Sequence, residues 1–153
     1  MQTLFADPIL QLNGKLPPGV TFTASPGDGR IAGTTFIGAG GVYPLKITAS
    51  DGSAAQLSLT VNDQPSFASV NQATFKVRKF KSFVVKANGF PVPTIEARPF
   101  AGLPSGITLT PSGGNTITIS GTAAPGSAGV YYIVFRAENS FGQTTQSFLL
   151  IVN

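Results

Sequence analysis

Cysteine, histidine and tryptophan are all absent from this chain of 153 residues. Without cysteine the chain forms no disulfide, holds no thiolate metal site and has no thiol nucleophile. Without histidine it lacks the commonest general base and the commonest ligand of transition metals. The usual hydrolytic triads and zinc sites are therefore excluded. The sequence predicts no catalytic residue, no metal site and no cofactor.

Charged residues are scarce as well, at 10% of the chain, against about a quarter in an average soluble domain. The six acids are scattered, so no paired carboxylates indicate acid–base catalysis. No apolar run reaches the roughly 18 residues of a membrane-spanning helix. The opening Met1-Gln2-Thr3 lacks the regions of a signal peptide, and we interpret it as the start of an excised fragment. Short apolar runs between 18 glycines and 12 prolines are typical of an all-β extracellular protein.

Four blocks of sequence occur twice in the same order. Leu-Pro-Pro-Gly-Val-Thr at 16–21 returns as Leu-Pro-Ser-Gly-Ile-Thr at 103–108, Ile-Ala-Gly-Thr at 31–34 as Ile-Ser-Gly-Thr at 119–122, Gly-Val-Tyr at 41–43 as the same triplet at 129–131, and Leu-Ser-Leu-Thr-Val-Asn at 57–62 as Phe-Leu-Leu-Ile-Val-Asn at 148–153. The sequence therefore predicts two copies of one domain, at residues 1–62 and 63–153. Pro65 predicts a short, stiff linker at 62–65.

The first copy is shorter than the second at its N-terminal end. Forty residues precede the Leu-Pro-Ser-Gly block in the second copy, but only 15 precede its counterpart in the first. We expect the first copy to lack two strands, the counterparts of 75–77 and 83–87. It would then expose a sheet edge and part of its core. We expect a neighbouring chain or repeat to cover that edge by strand addition or swapping.

Every strong periodic segment of the chain alternates with period two, and none has the helical period of 3.6. One segment predicts that Tyr131, Ile133, Phe135 and Ala137 point inward. The matching segment of the first copy has similar residues at its inward positions: Tyr43, Leu45, Ile47 and Ala49. An all-β fold with almost no helix is predicted.

Taken together, the repeated blocks and the last strand ending in Val-Asn resemble the bacterial "putative Ig" repeats, which are close to dystroglycan-type cadherin-like domains. The resemblance covers the second copy and the later two thirds of the first. It implies two tandem immunoglobulin-like β-sandwiches of about seven strands with Greek-key connections, the first lacking its N-terminal strands. It also implies an extracellular or cell-surface location. In such folds Tyr43 and Tyr131 would each tie a strand to the preceding loop.

One basic segment, residues 76–86, holds five of the ten cations: Lys76, Arg78, Lys79, Lys81 and Lys86. The second copy has seven cations against three acids, a net charge of +4, whereas the first copy is neutral. The functional interpretation is a surface that attracts a polyanion, such as a surface polysaccharide or nucleic acid. The structural alternative is an edge strand whose lysines prevent pairing with another sheet. No aromatic platform or nucleic-acid motif accompanies the charge, so specific nucleic-acid recognition is not expected.

Two other sites are alternatives that the residues only weakly favour. Asp63 lies at the junction of the copies, where cadherin-like domains bind calcium, but the further carboxylates of a calcium cage are missing. Asp51 is better explained as a turn residue that binds its own backbone. An isopeptide bond needs a buried lysine, an asparagine and an acid in contact, and would draw on Lys76 or Lys86, Asn153, and Glu96 or Glu138.

We therefore predict a non-catalytic structural or adhesive module, a stalk or spacer that stands among neighbouring repeats of the same protein. The alternative is a carbohydrate- or polyanion-binding accessory domain of an exported enzyme or virion. Glycan-binding surfaces usually carry a row of exposed aromatic rings. Here most phenylalanines fall at inward strand positions, so the sequence favours the structural interpretation.

Overall fold

The computed structural model describes residues 7–153, which form thirteen β-strands and no helix. They divide between two compact units, with the boundary between Val61 and Asn62. Unit 1 contains β1 (Leu10–Asn13), β2 (Val20–Ser25), β3 (Asp28–Gly33), β4 (Gly41–Ala49) and β5 (Ala54–Val61). Unit 2 contains β6 (Asp63–Phe67), β7 (Gln72–Phe75), β8 (Phe80–Phe90), β9 (Thr94–Pro99), β10 (Ile107–Pro111), β11 (Thr116–Thr122), β12 (Gly129–Asn139) and β13 (Gly142–Val152). The predicted all-β fold is confirmed. Nothing in residues 7–153 forms the long apolar helix that would cross a membrane.

Unit 2 is a sandwich of two four-stranded sheets. One sheet has the strand order β10–β11–β8–β6 and the other β7–β13–β12–β9. Neighbouring strands are antiparallel, except β7 and β13, which are parallel. Its eight strands exceed the expected number of about seven because the first strand is divided. β6 pairs with β8 in one sheet, whereas β7 pairs with β13 in the other.

The hydrophobic core of unit 2 lies between its two sheets and follows the period-two pattern. Ile133, Phe135 and Ala137 of β12 are wholly buried, and Tyr131 packs against the core, as predicted. The ring of Phe148 packs edge-on against that of Phe135, with ring centroids 5.6 Å apart. Each buried side chain of this size contributes about 2–3 kcal/mol. A shift of one residue would expose the whole row, so burial fixes the register of the sheet.

Unit 1 corresponds strand by strand to the later part of unit 2. Its sheets β1–β4–β5 and β2–β3 are the counterparts of β9–β12–β13 and β10–β11. Residues 7–61 contain no counterpart of β7 or β8, the two strands expected to be missing, and none of β6 either. The sequence predicted a linker where β6 lies.

That predicted linker at 62–65 is mostly strand. β6 begins at Asp63, and Pro65 is buried within it. Proline is tolerated there because β6 is the last strand of its sheet, and its ladder with β8 is irregular between Asp63 and Ser66. Along the chain only Asn62 separates β5 from β6.

The repeated sequence blocks lie at equivalent places in the two units. The glycine of Leu-Pro-x-Gly touches that of Ile-x-Gly-Thr across a strand pair, Gly19 against Gly33 in unit 1 and Gly106 against Gly121 in unit 2. A side-chain carbon on Gly33 or Gly121 would overlap the partner's carbonyl oxygen, and both residues have positive φ. Only glycine fits this approach of two backbones. The fold therefore explains both motifs without a ligand.

The two tyrosines tie a strand to the preceding loop, as predicted. The hydroxyl of Tyr43 donates a hydrogen bond to the carbonyl of Ala39 at 2.6 Å. The hydroxyl of Tyr131 donates to the carbonyl of Ser127 at 2.9 Å. Since the same tie recurs in both units, these tyrosines have a structural role.

Candidate polyanion-binding surface

The turn between β7 and β8, residues 76–79, carries three of the five predicted cations. Its backbone is fixed from outside the turn. The N–H of Val77 donates to the carbonyl of Asn153 at 2.7 Å, and that of Arg78 donates to the carbonyl of Ala123 at 2.9 Å. Val77 packs against the core, whereas the basic side chains of the turn are exposed. The turn is therefore a well-anchored support for exposed positive charge.

Lys81, at the start of β8, has a defined side-chain position. Its Nζ donates a hydrogen bond to the carbonyl of Thr74 at 2.8 Å. The same ammonium group lies 5.7 Å from the centre of the Phe75 ring, whose face attracts a cation. Because part of its conformational freedom is already lost, this lysine would bind an anion at a smaller entropic cost than a free one.

An open groove of about 350 Å³ lies beside this turn, and its lining brings three of the predicted cations together. The lining residues are Thr74, Lys76, Lys79, Phe80 and Lys81. The ring of Phe80 is 73% exposed. Three lysines and an exposed aromatic ring therefore share one concave surface, and such a surface suits an anionic sugar or another flat, charged group.

The exposed ring of Phe80 lies beside the lysines, where the sequence indicated no aromatic platform. The period-two pattern of β8 already indicates that Phe80 is exposed. Phe83, Val85 and Ala87 alternate inward, so Phe80 falls on the opposite phase and faces away from the core. Phe80 therefore departs from the inward strand positions predicted for most phenylalanines.

Arg78 and Lys86 do not line the groove. Arg78 belongs to the same turn, where its φ of 61° lies in the left-handed region. Lys86 is exposed and pairs with Thr116 of β11. It lies about 17 Å from Lys81 along the extended strand. The structure thus brings together Lys76, Lys79 and Lys81 and leaves Lys86 apart.

The alternative interpretation, an edge strand protected by lysines, is consistent with the first half of β8. Phe80–Lys86 pairs with β11 on one side, whereas β6 pairs only with Ala87, Asn88 and Phe90 of the second half. Three of the five cations lie in the turn before β8 rather than on it. The edge-strand interpretation therefore applies to Lys81 and not to the cations of the turn.

Two acids of unit 2 lie on the other sheet and pair with arginines. Glu96 pairs with Arg98 of β9 at 3.5 Å, and Glu138 pairs with Arg136 of β12 at 2.8 Å. These pairs are largely exposed, so each stabilises the fold by less than about 1 kcal/mol. The lysines of the groove take part in neither pair.

The alternative sites gain no support from the geometry. Asp51 accepts hydrogen bonds from the hydroxyl and the backbone N–H of Ser53, at 2.7 and 2.8 Å, as expected of a turn residue. The hydroxyl bond, followed by the backbone bond, holds the pKa of Asp51 below its ordinary value of 3.8. In the described part of the chain no three acids cluster around a possible metal position. Lys76 and Lys86 are exposed, whereas an isopeptide bond needs a buried lysine.

The two facing sheets, the divided first strand and the tyrosine tie define unit 2 as an immunoglobulin-like sandwich. Residues 64–153 match the family model described as "Putative Ig domain". The chain therefore belongs to this family, as its repeated blocks predicted.

Several solved structures are similar to this chain, and the first of the following shares its fold. Tandem Ig domains of titin match with a TM-score of 0.59 at 15% identity, over 95% of this chain and 82% of that one. An endo-fucoidan hydrolase of glycoside hydrolase family 107 matches with a TM-score of 0.49 at 19% identity, over 94% of this chain and 23% of the enzyme. A "putative alpha-galactosidase/melibiase" of Bacteroides fragilis matches with a TM-score of 0.48 at 22% identity, over 59% of this chain and 18% of that protein. The chain thus spans less than a quarter of these two proteins. No curated protein matches it.

Proposed function

We propose that the chain is a non-catalytic structural module, a load-bearing stalk or spacer that stands among neighbouring repeats of an extracellular or cell-surface protein. Membership of the Ig-domain family and the fold shared with titin Ig domains support this role. The interior of unit 2 supports it too, because apolar side chains fill the space between the sheets. The largest of them are wholly buried: Phe75, Phe135, Phe148, Ile119, Ile133, Leu150 and Val85.

The parallel pairing of β7 with β13 is the observation that carries the proposal. β7 lies near the start of unit 2, and β13 ends it. Tension between these ends would pull the two strands in opposite directions along their length. Their hydrogen bonds would then share the force instead of opening one after another. Three backbone bonds belong to this connection, Leu149 N–H to Asn71 O at 2.9 Å, Asn153 N–H to Phe75 O at 3.0 Å and Val77 N–H to Asn153 O at 2.7 Å.

Replacing Val77 by proline is expected to weaken unit 2 under load. Proline removes the N–H that binds the carbonyl of Asn153. Loss of one such bond, worth about 1 kcal/mol, should raise the rate of forced unfolding roughly fivefold. Single-molecule stretching of the chain between its two ends measures this rate. Val77→Ala is the matched control, because it removes the side-chain packing and keeps the N–H.

Two outcomes would count against the load-bearing role. In one, Val77→Pro and Val77→Ala unfold at the same rate under force. In the other, unit 2 resists no more force than unit 1, which has no counterpart of β7 among its described residues.

A polyanion-binding accessory domain is the second candidate function, and the groove of Lys76, Lys79, Lys81 and Phe80 favours it. The ligand would be a sulfated or carboxylated surface polysaccharide. Its acidic groups would contact the lysines, and the ring of Phe80 would pack against a sugar face. Binding of this kind weakens as the salt concentration rises, since each ionic contact releases counterions.

Retention on heparin resin tests the second candidate. Neutralising two groove lysines, with Lys76→Gln and Lys79→Gln together, should lower the slope of log affinity against log salt by about 2. Phe80→Ala should weaken binding and leave that slope unchanged. The matched control is Lys15→Gln with Lys46→Gln in unit 1. If this control lowers retention as much as the groove variant does, the groove is not the binding site.

A further inference from the structure

The inner face of one sheet of unit 1 is covered only in part by the described residues, because Leu45 of β4 is 4% exposed whereas its neighbour on β5 is not buried. Leu57 of β5 pairs with Leu45 of β4, as Phe148 pairs with Ile133 in unit 2. These equivalent positions differ in burial, because Leu57 is 41% exposed and Phe148 only 1%. In unit 2 the facing sheet contributes Val85 of β8 to the same core as Phe148. Residues 7–61 contain no strand equivalent to β8.

A groove marks the uncovered part of this sheet. It has a volume of about 320 Å³ and is lined by Leu10, Ile47, Ala49, Ser53, Ala54 and Ala55. The register relates Ile47 and Ala49 to Phe135 and Ala137 of unit 2, which are wholly buried. The groove therefore lies on the face of unit 1 whose counterpart in unit 2 is buried between the two sheets of unit 2.

An available strand edge borders this face. In unit 2, β11 pairs with β10 on one side and with β8 on the other. Its counterpart β3 pairs only with β2 among the described residues. Backbone donors and acceptors along the other edge of β3 can thus bind an added strand. In unit 1, the free edge of β3 and the partly uncovered apolar face therefore meet at the position that corresponds to β8 in unit 2.

We propose that unit 1 binds an extended strand of a partner polypeptide, which adds antiparallel to β3 and covers the inner face of the β1–β4–β5 sheet. The chemistry of this strand follows from β8, where inward Phe83, Val85 and Ala87 alternate with outward Val84, Lys86 and Asn88. In unit 2, Lys86 pairs with Thr116. The equivalent of Thr116 in unit 1 is Asp28. A basic side chain of the added strand would therefore lie beside an acid.

This inference is independent of the load-bearing role, since it concerns unit 1 and the proposed load path lies in unit 2. It also has a defined probe, a synthetic peptide with the sequence of β8, Phe80–Phe90. Added to the full chain, the peptide should slow amide hydrogen exchange in β3. At a peptide concentration of 100 times its Kd, exchange through opening of unit 1 should slow about 100-fold. Exchange in β11 of unit 2 should not change.

Two controls distinguish specific strand addition from nonspecific hydrophobic binding of the peptide. A peptide with Phe83→Asp and Val85→Asp should not protect β3, because it would place carboxylates against the apolar face. In the chain, Leu57→Asp should abolish the effect of the original peptide. Ser58→Asp adds the same charge on the exposed outer face of β5 and should preserve the effect.

Two results would overturn the proposal. One is the absence of protection in β3 at millimolar peptide. The other is concentration-dependent self-association of the chain, measured by sedimentation and abolished by Leu57→Asp but not by Ser58→Asp. The occupant of the face would then be a second copy of this chain.

Discussion

Replacing Phe148 by alanine is expected to lower the free energy of unfolding of unit 2 by about 4 kcal/mol. Its ring lies between the two sheets, with centroids 5.3 Å from Phe83 and 5.6 Å from Phe135. Truncation would leave a cavity, because the two hydrogen-bonded sheets that flank the ring cannot approach each other to fill it. Urea unfolding followed by NMR signals of each unit measures the loss in unit 2 separately.

The equivalent position in unit 1 provides the control. Leu57→Ala should cost less than about 1.5 kcal/mol, since a partly exposed side chain loses less burial when it is truncated. It should also leave the unfolding of unit 2 unchanged. A loss in unit 1 as large as that caused by Phe148→Ala in unit 2 would mean that the inner face around Leu57 is fully covered in solution.

Gly121→Ala is expected to destabilise unit 2 by roughly 3 kcal/mol. The added methyl group would overlap the carbonyl oxygen of Gly106, and φ at Gly121 is +142°. Relief would require β10 and β11 to separate where Ile107 pairs with Gly121. The midpoint of urea unfolding, read from signals of unit 2, reports the change.

Gly126→Ala distinguishes overlap from backbone strain. Gly126 also has a positive φ, +86°, but no atom lies within 4 Å of an added side-chain carbon. Its replacement should therefore cost only about 1 kcal/mol. Equal effects at the two glycines would show that the close approach of Gly106 and Gly121 does not limit stability.

Sequence alone predicted the class of fold because its signals are local and repeated. Alternation with period two identified the strands and their inward faces, and burial of Ile133, Phe135 and Ala137 confirms it. The matched blocks predicted two copies of one domain, and these blocks lie at equivalent places in the two units. The division of the first strand into β6 and β7 could not be predicted, because it depends on which sheet each half joins. Pro65, which suggested a linker, lies in β6.

The basic groove was predicted only in part. Composition identified the five cations, since charge density can be read along the chain. It could not show that Lys76, Lys79 and Lys81 share a groove while Lys86 lies apart, because that depends on where the turn ends and β8 begins. The exposure of Phe80 was accessible from the phase of the strand, but its position beside three lysines was not.

The sequence by itself determined that this chain forms strands, which side chains point inward and which segment concentrates positive charge. Each of these properties depends on neighbours along the chain. Tertiary structure decided the parallel pairing of β7 with β13, the convergence of the lysines on one groove and the uncovered sheet face of unit 1. The first and third of these features join residues far apart in sequence, which sheet pairing places by hydrogen bonds and burial that no local pattern encodes. The groove depends instead on where the turn at 76–79 ends and β8 begins.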